Sequence, residues 1–123
     1  MMEDTEIITE ILFKLDGWVL DNEENRSLSS TKYNKKVTSE EVLHYYDVAL
    51  DYALSYTNRD DFSDVTVSDT AVILWSAGLI WNKYNVRSNN QIDETNTLGF
   101  GDKLIVQAKE ILKPFKSYSF HAY

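Results

Sequence analysis

The chain lacks cysteine and has little proline or glycine, and these absences limit its possible chemistry. Its 123 residues include no cysteine, one proline and four glycines. Without thiols the protein has neither disulfides nor thiolate metal sites. Gly99 and Gly101 are only a pair, with neither the third glycine of a dinucleotide turn nor the lysine of a phosphate-binding loop. We therefore expect neither a disulfide scaffold nor a nucleotide-phosphate site.

Side chains suited to catalysis are also few. His44 and His121 are the only histidines, the residue type that titrates close to neutral pH. His44 has Asp47 three residues away, but no nucleophile accompanies the pair, so a structural role is favoured over catalysis. Three aspartates cluster within residues 60–64, without the glycine and distal glutamate of a calcium loop. We expect a protein that is not an enzyme and that has no cofactor and no metal.

Positive charge is in short supply and is unevenly placed. The chain has 12 Lys and Arg against 20 Asp and Glu, a formal net charge of −8. Nucleic-acid binding requires clustered basic residues, so nucleic acid is not expected as a primary ligand. Eight carboxylates lie in the first thirty residues, whereas four of the five charged residues after Asp102 are lysines. This asymmetry would let copies associate head to tail or side to side, although ordinary solvated helix faces are the favoured explanation.

A long uncharged run is the main feature that is present. Within residues 68–86, no charged residue occurs between Asp69 and Lys83, and apolar side chains fall on every helical face. The run is shorter than the ~20 apolar residues of a membrane span, so it predicts a central helix buried by other helices. Ser68 or Asp69 is expected to cap its first turn. Gly78 is expected to let a neighbouring backbone approach closely.

Two amphipathic helices are predicted before this run. The first begins near Asp4, its apolar stripe extends to Trp18 and Val19, and Gly17 either ends the helix or lies within it. A polar loop follows over residues 21–36. The second helix begins after Thr38, where Glu41 three residues later completes the pattern of a capping box.

A third amphipathic helix is predicted after the run. Asp102 is expected to cap it and Pro114 to end it. The connection over residues 85–102 is dense in turn-forming residues and favours a short β-hairpin or an exposed loop. The aromatic tail at residues 116–123 has two open explanations, because it can pack back on the domain or anchor another protein.

The predicted fold class follows from these elements. We expect a mainly α protein, a compact bundle of about four helices around the central apolar helix, in one domain spanning residues 1–123. A short β-hairpin or loop would separate the last two helices. Residues 1–10 are acidic where a secretory signal is basic, which predicts synthesis in the cytoplasm.

Two parts of the chain resemble a known family. The first part is the second helix with its exit, Thr38-Ser39-Glu40-Glu41 and then Tyr56-Thr57-Asn58-Arg59-Asp60-Asp61-Phe62. The second part runs from the end of the central helix to the last helix, with Tyr84-Asn85, Arg87, Glu94-Thr95, Gly99-Phe100 and Ile111-Leu112-Lys113-Pro114-Phe115. In these features the sequence resembles the gp6-like head–tail connector (adaptor) proteins of tailed bacteriophages.

The resemblance implies a structural role in the virion. It implies a homo-oligomeric ring of about twelve copies on the portal protein, which extends the DNA channel and meets a head-completion or tail protein. Double-stranded DNA would pass through without specific binding, since an acidic lining repels phosphate. The protein would be in the host cytoplasm during assembly and then at the head–tail interface, without a membrane.

The resemblance also suggests which residues bind partners. The polar connection is the candidate to reach the channel or the next protein, and the aromatic tail is the candidate to dock on the portal. The candidate partner-binding residues are Arg87, Gln91, Glu94 and Phe100 in the connection, and Phe115, Tyr118, Phe120 and Tyr123 at the other end. The alternative is a small acidic helical phage or bacterial protein that binds and regulates one host protein.

Overall fold

Four helices make up most of the structure. The computed structural model describes residues 2–15, 17–26, 35–84 and 99–117. Within these ranges the elements are α1 Asp4–Lys14, β1 Val19–Leu20, β2 Lys36–Val37, α2 Ser39–Thr57, α3 Ser68–Tyr84 and α4 Phe100–Leu112. Short 3₁₀ turns lie at Glu23–Asn25 and Lys113–Phe115. The prediction of a mainly helical bundle is confirmed.

Helix α3 is the centre of the bundle, as its apolar sequence predicts. The helices α1, α2 and α4 all pack against it. Ten of its 17 residues are buried, among them Trp75 and Ile80. Ile7 and Ile11 of α1 and Leu104 of α4 belong to the same core. Among the described helices, none combines the length and the apolar character needed to cross a membrane.

The prediction for Gly78 is confirmed at the crossing of α3 and α4. A Cβ atom built on Gly78 would lie 2.6 Å from the carbonyl oxygen of Gly101. A Cβ atom built on Gly101 would lie 2.7 Å from the carbonyl oxygen of Gly78. The two backbones approach so closely because each helix places a glycine at the crossing point.

The prediction that the first helical stripe reaches Trp18 and Val19 is wrong. Helix α1 ends at Lys14, and Gly17 lies outside it with φ of 88°, a left-handed conformation that suits glycine. Val19 begins β1, which pairs in parallel with β2 through Val19 opposite Lys36 and Leu20 opposite Val37. Trp18 is buried all the same, so its hydrophobic position serves the core from an extended segment.

The prediction of a capping box at the start of α2 is confirmed for Thr38 but not for Glu41. The Thr38 hydroxyl accepts a hydrogen bond from the N–H of Glu41 at 3.1 Å, as an N-cap should. A capping box would also turn the Glu41 carboxylate back to the N-cap N–H. Both of its oxygens instead accept hydrogen bonds from α3, Oε2 from Lys83 and Oε1 from Tyr84. Glu41 therefore joins α2 to α3 instead of completing the capping box.

The expected caps of α3 and α4 are wrong. Ser68 is the first residue of α3, and its hydroxyl donates to the Val65 carbonyl at 2.9 Å. Asp69 lies within the first turn. Helix α4 begins at Phe100, two residues before Asp102, and Asp102 Oδ1 accepts from Asn82 Nδ2 on α3 at 3.0 Å. The Ser68 hydroxyl thus bonds to a carbonyl three residues earlier, and Asp102 bonds to a distant side chain, Asn82, rather than to the start of its own helix.

The other helix ends and loops lie where the sequence predicts them, except in the connection between the last two helices. Helix α2 ends at Thr57, and Asn58 at its C-cap has φ of 56°. Pro114 stands in the 3₁₀ turn that follows α4. The predicted loop over residues 21–36 contains the turn at Glu23–Asn25 and the first residue of β2. Of the connection expected over residues 85–102, residues 85–98 lie outside the described residues, and residues 100–102 belong to α4 instead of a hairpin or loop.

Candidate partner-binding surfaces at the two ends of the last helix

The structure separates the described candidate residues. Phe100 is the first residue of α4, and Phe115 closes the 3₁₀ turn that follows it. Helix α4 has 13 residues, so its two ends lie about 20 Å apart. The remaining candidates lie outside the described residues, namely Arg87, Gln91, Glu94, Tyr118, Phe120 and Tyr123. The predicted partner-binding residues therefore belong to two separate surfaces. We call them the connection end, around Tyr84 and Phe100, and the tail end, around Arg59 and Phe115.

Aromatic rings form the connection end. Trp81 on α3 contacts Phe100 edge to face, with ring centroids 4.6 Å apart. Trp18 lies on the other side, 6.0 Å from the Trp81 ring and 5.3 Å from the Tyr84 ring. Phe100 keeps 41% of its surface exposed. These contacts tie the residues on both sides of the 85–98 segment to one aromatic cluster, with Phe100 as its accessible member.

A polar cluster fixes Tyr84, the last described residue before the 85–98 segment. The Tyr84 hydroxyl and the Lys83 ammonium both donate to the Glu41 carboxylate. Lys35 Nζ donates to the Tyr84 carbonyl oxygen at 3.1 Å. Helix α2, helix α3 and the residue before β2 are thus joined at this end.

The same contacts perturb the titration of the cluster. Partial burial acts to raise the pKa of Glu41, but the hydrogen bonds from Lys83 and Tyr84 and the charge of Lys83 outweigh it, so the pKa is lowered. Burial and the hydrogen bond to Glu41 raise the pKa of Tyr84. The hydrogen bond to Glu41 raises the pKa of Lys83. At neutral pH the cluster is therefore a carboxylate between an ammonium and a neutral phenol.

Arg59 holds the tail end. Its Nε donates to the Phe115 carbonyl oxygen at 2.6 Å, and its Nη1 pairs with Asp64 Oδ1 at 2.9 Å. The N–H of Ser117 donates to the Thr57 carbonyl oxygen at 2.7 Å. The exit of α2 thereby fixes the chain up to the start of the tail.

The neighbours of Arg59 add to this anchor. Asn58 accepts the left-handed backbone conformation that ends α2, and its Nδ2 donates to the Ser117 carbonyl oxygen at 3.1 Å. The Lys116 ammonium lies 4.5 Å from the centre of the Tyr56 ring. The Tyr56-Thr57-Asn58-Arg59 run, which carries part of the family resemblance, is the segment that positions the tail.

The other residues considered for chemistry make contacts with residues close to them in the sequence. His44 is exposed, and its ring lies edge-on to Tyr45 with centroids 5.3 Å apart. Asp61 accepts hydrogen bonds from the N–H and hydroxyl of Ser63, which lower its pKa, and Asp64 pairs with Arg59. Among the residues the structure describes, no group of three or more acidic or histidine side chains is arranged to hold a metal ion.

Sequence reasoning missed several residues that build these surfaces. It placed Trp18 on the first helix, and it assigned Glu41 to a cap rather than to α3. Arg59 was named only within the segment that resembles the connector family, with no contact assigned to it. The signal that was available is the run Thr57-Asn58-Arg59 itself, because a polar exit so close to the core needs partners for its backbone groups.

Comparison with known proteins gives no match: no family model matches the chain, and neither a curated protein nor a solved structure is significantly similar to it. The two surfaces, together with the resemblance carried by residues 38–62 and 84–115, are therefore the features that bear on function.

Proposed function

We propose that the protein is a head–tail connector of a tailed bacteriophage. In this proposal about twelve copies form a ring on the portal, extend the DNA channel and join the capsid to the tail. The observation that carries the proposal is the separation of the tail end from the connection end by the length of α4. An adaptor must hold two different proteins at once, and surfaces about 20 Å apart on one rigid helix allow this.

The tail end is the proposed portal-binding surface. Arg59 and Asn58 fix the chain at Phe115 and Ser117, so the aromatic tail starts from a defined point. A pre-positioned anchor loses less entropy on binding than one on a free chain. Aromatic side chains are frequent hot spots of protein interfaces, which suits Tyr118, Phe120 and Tyr123 to this role.

The connection end is the proposed surface for the channel or the next protein. Phe100 is accessible there, and Arg87, Gln91 and Glu94 belong to the segment of the sequence that connects Tyr84 to Gly99. The net charge of −8 favours a channel wall along which DNA phosphates slide without adhering.

The test is binding to the portal protein encoded in the same genome. Electron microscopy of the mixture should reveal annular complexes, and deletion of residues 116–123 should abolish them. A milder variant, Tyr118→Ser with Phe120→Ser and Tyr123→Ser, retains the Ser117 anchor and should also fail to bind. Tyr52→Ser is the matched control, because Tyr52 is an exposed tyrosine on α2, and it should assemble normally.

Two results would refute this proposal. Annular complexes that form equally well without residues 116–123 would remove the tail from the portal interface. A wild-type chain that never binds the portal protein would remove the connector function and leave the regulator of a single host protein as the alternative.

A further inference from the structure

Two tyrosines of α2 lie against Trp75 of α3 at the surface of the bundle. The ring centroid of Tyr52 is 6.2 Å from that of Trp75, and the Tyr56 ring meets Trp75 edge to face at 6.1 Å. Trp75 is buried, whereas Tyr52 is 50% exposed. On the side of α4, the Lys109 ammonium lies 5.5 Å from the centre of the Trp75 ring and 5.8 Å from that of Tyr56. We call Tyr52, Tyr56, Trp75 and Lys109 the aromatic patch.

The patch is accessible because α2 and α4 have few contacts with each other. Both helices pack on α3, and each of them contacts α3 far more extensively than it contacts the other. The part of α3 that contains Trp75 is therefore contacted from both sides by long side chains, with Tyr52 exposed beside it. Tyrosine offers a rigid apolar ring with a polar tip, which suits a contact that forms and is released.

The tail begins next to this patch. Ser117, the last described residue, donates its N–H to the Thr57 carbonyl oxygen at 2.7 Å. The Lys116 ammonium lies 4.5 Å from the centre of the Tyr56 ring. Tyr52 precedes Thr57 by five residues, which is about 7.5 Å along the axis of α2. The described chain therefore stops within a short distance of both tyrosines.

Residues 118–123 have the length and the composition to bind there. The six residues reach about 20 Å when fully extended, which is more than the distance to Tyr52. They include the aromatic residues Tyr118, Phe120 and Tyr123 and no lysine, arginine or acidic residue. An extended segment would place Tyr118 and Phe120 on one side, about 7 Å apart. The two tyrosines of the patch, four residues apart on one helix, have a similar spacing of about 6 Å.

We propose that the aromatic patch binds residues 118–123 of the same chain before the subunit meets the portal. The tail aromatics would pack on Tyr52 and Tyr56 and remove the exposed parts of these rings from water. The inference rests on the proposed function for its purpose, since the same aromatic residues are the proposed portal anchor. The free subunit would cover its anchor, and the portal would release it by binding the anchor more tightly.

The attachment of the tail favours it over a separate protein as the occupant of the patch. Because residues 118–123 are joined to the domain at Ser117, their effective concentration at the patch is of the order of millimolar. A separate partner would also lose translational and rotational freedom on binding. Lys116 and Ser117 already contact the end of α2, so only the six residues that follow have to be ordered. Packing on the domain and anchoring another protein then become two states of one segment.

Two-dimensional NMR of the free, full-length chain tests the contact. Wild type is compared with the combined variant Tyr118→Ser, Phe120→Ser and Tyr123→Ser, which retains Ser117. Differences in chemical shift should be confined to the aromatic patch, including the indole N–H of Trp75. Wild type should give nuclear Overhauser effects between the tail rings and the two tyrosines of α2. Dilution should leave the spectra unchanged, because the contact lies within one chain.

A change on the domain side provides the second arm. Tyr52→Ser should abolish the Overhauser effects to the tail, and it should tighten binding to the portal protein by about three- to tenfold, because the anchor is no longer covered. The matched control is His44→Ser, at an exposed position of the same helix outside the patch, which should retain the tail contact and the wild-type affinity. Circular dichroism checks that both variants are folded.

Three results would overturn the inference. They are identical spectra for wild type and the tail variant, shift differences at another part of the surface, and contacts that disappear on dilution, which would belong to the tail of another copy. Portal binding is judged separately. A chain whose tail contacts the patch but which never binds the portal would refute the connector function alone. A chain that binds the portal but whose tail never contacts the patch would refute this inference alone.

Discussion

Replacing Gly78 with alanine tests how closely α3 and α4 pack. The new Cβ would lie 2.6 Å from the Gly101 carbonyl oxygen and 2.7 Å from Cγ1 of Ile105. The Ile105 side chain can rotate away, but the backbone carbonyl moves only with its helix. Helix α4 would therefore have to shift outward, away from contacts along its whole buried side.

Two opposing effects determine the size of the change. Overpacking in a core costs about 1–3 kcal/mol, and the obstruction by backbone at this crossing places Gly78→Ala at the upper end. The higher helix propensity of alanine stabilises the folded state by about 1 kcal/mol relative to glycine. The free energy of unfolding should thus fall by about 2 kcal/mol. For a domain of this size the midpoint of thermal unfolding should fall by about 8 °C.

Urea and thermal unfolding, followed by circular dichroism, measure this difference. Gly99→Ala is the control, since a Cβ on Gly99 would meet nothing within 4 Å and its φ of −78° suits alanine. As Gly99 is the N-cap of α4, its replacement should cost less than about 1 kcal/mol. If Gly78→Ala raised the unfolding temperature, helix propensity would outweigh packing and the close crossing would be refuted.

Two further predictions concern the contacts that hold each end. Glu41→Gln should lower the free energy of unfolding by about 1 kcal/mol at neutral pH, whereas Glu40→Gln, an exposed neighbour in the same turn, should have little effect. The folded-state pKa of Glu41 lies below its ordinary 4.5, so the contribution of Glu41 to the free energy of unfolding is present above that pH and is lost on acidification. If the difference in unfolding free energy between wild type and Glu41→Gln stayed constant down to pH values below the folded-state pKa, the contacts of Glu41 would not be its cause. Arg59→Ala should release the tail and speed tryptic cleavage after Lys116, and equal rates for Arg59→Ala and the exposed-arginine control Arg26→Ala would count against the anchor.

The helices were predictable because their cause is local. Helix α3 follows from an uncharged run that has no polar face, and α2 follows from a cap and a sustained apolar stripe. The end of α1 was not predictable in this way, because Trp18 and Val19 continue the helical spacing of the residues before them. What moves them off the helix is the left-handed turn at Gly17 and the pairing with β2, which begins 16 residues after β1 ends.

The candidate surfaces were predictable only in part for the same reason. The sequence suggested Phe100 and Phe115 through the family resemblance, their role in binding partners stays a prediction, and the structure adds that the length of α4 separates them. It did not reveal that Arg59 binds the Phe115 carbonyl, a contact between residues 56 positions apart. Nor did it reveal that Asp102 serves Asn82 instead of a cap. Side chains that are suited to local turns form hydrogen bonds with residues distant in the sequence, and a local sequence pattern does not indicate such partners.

The proposed connector holds two partners at opposite ends of α4. Cryo-electron microscopy of the complex with the portal protein, at a resolution that separates helices, tests it most directly. We expect the Phe115 end of α4 to contact the portal and the Phe100 end to face away from it, toward the next protein. Density in which both ends of α4 contact the portal, or in which the Phe100 end alone does so, would contradict it.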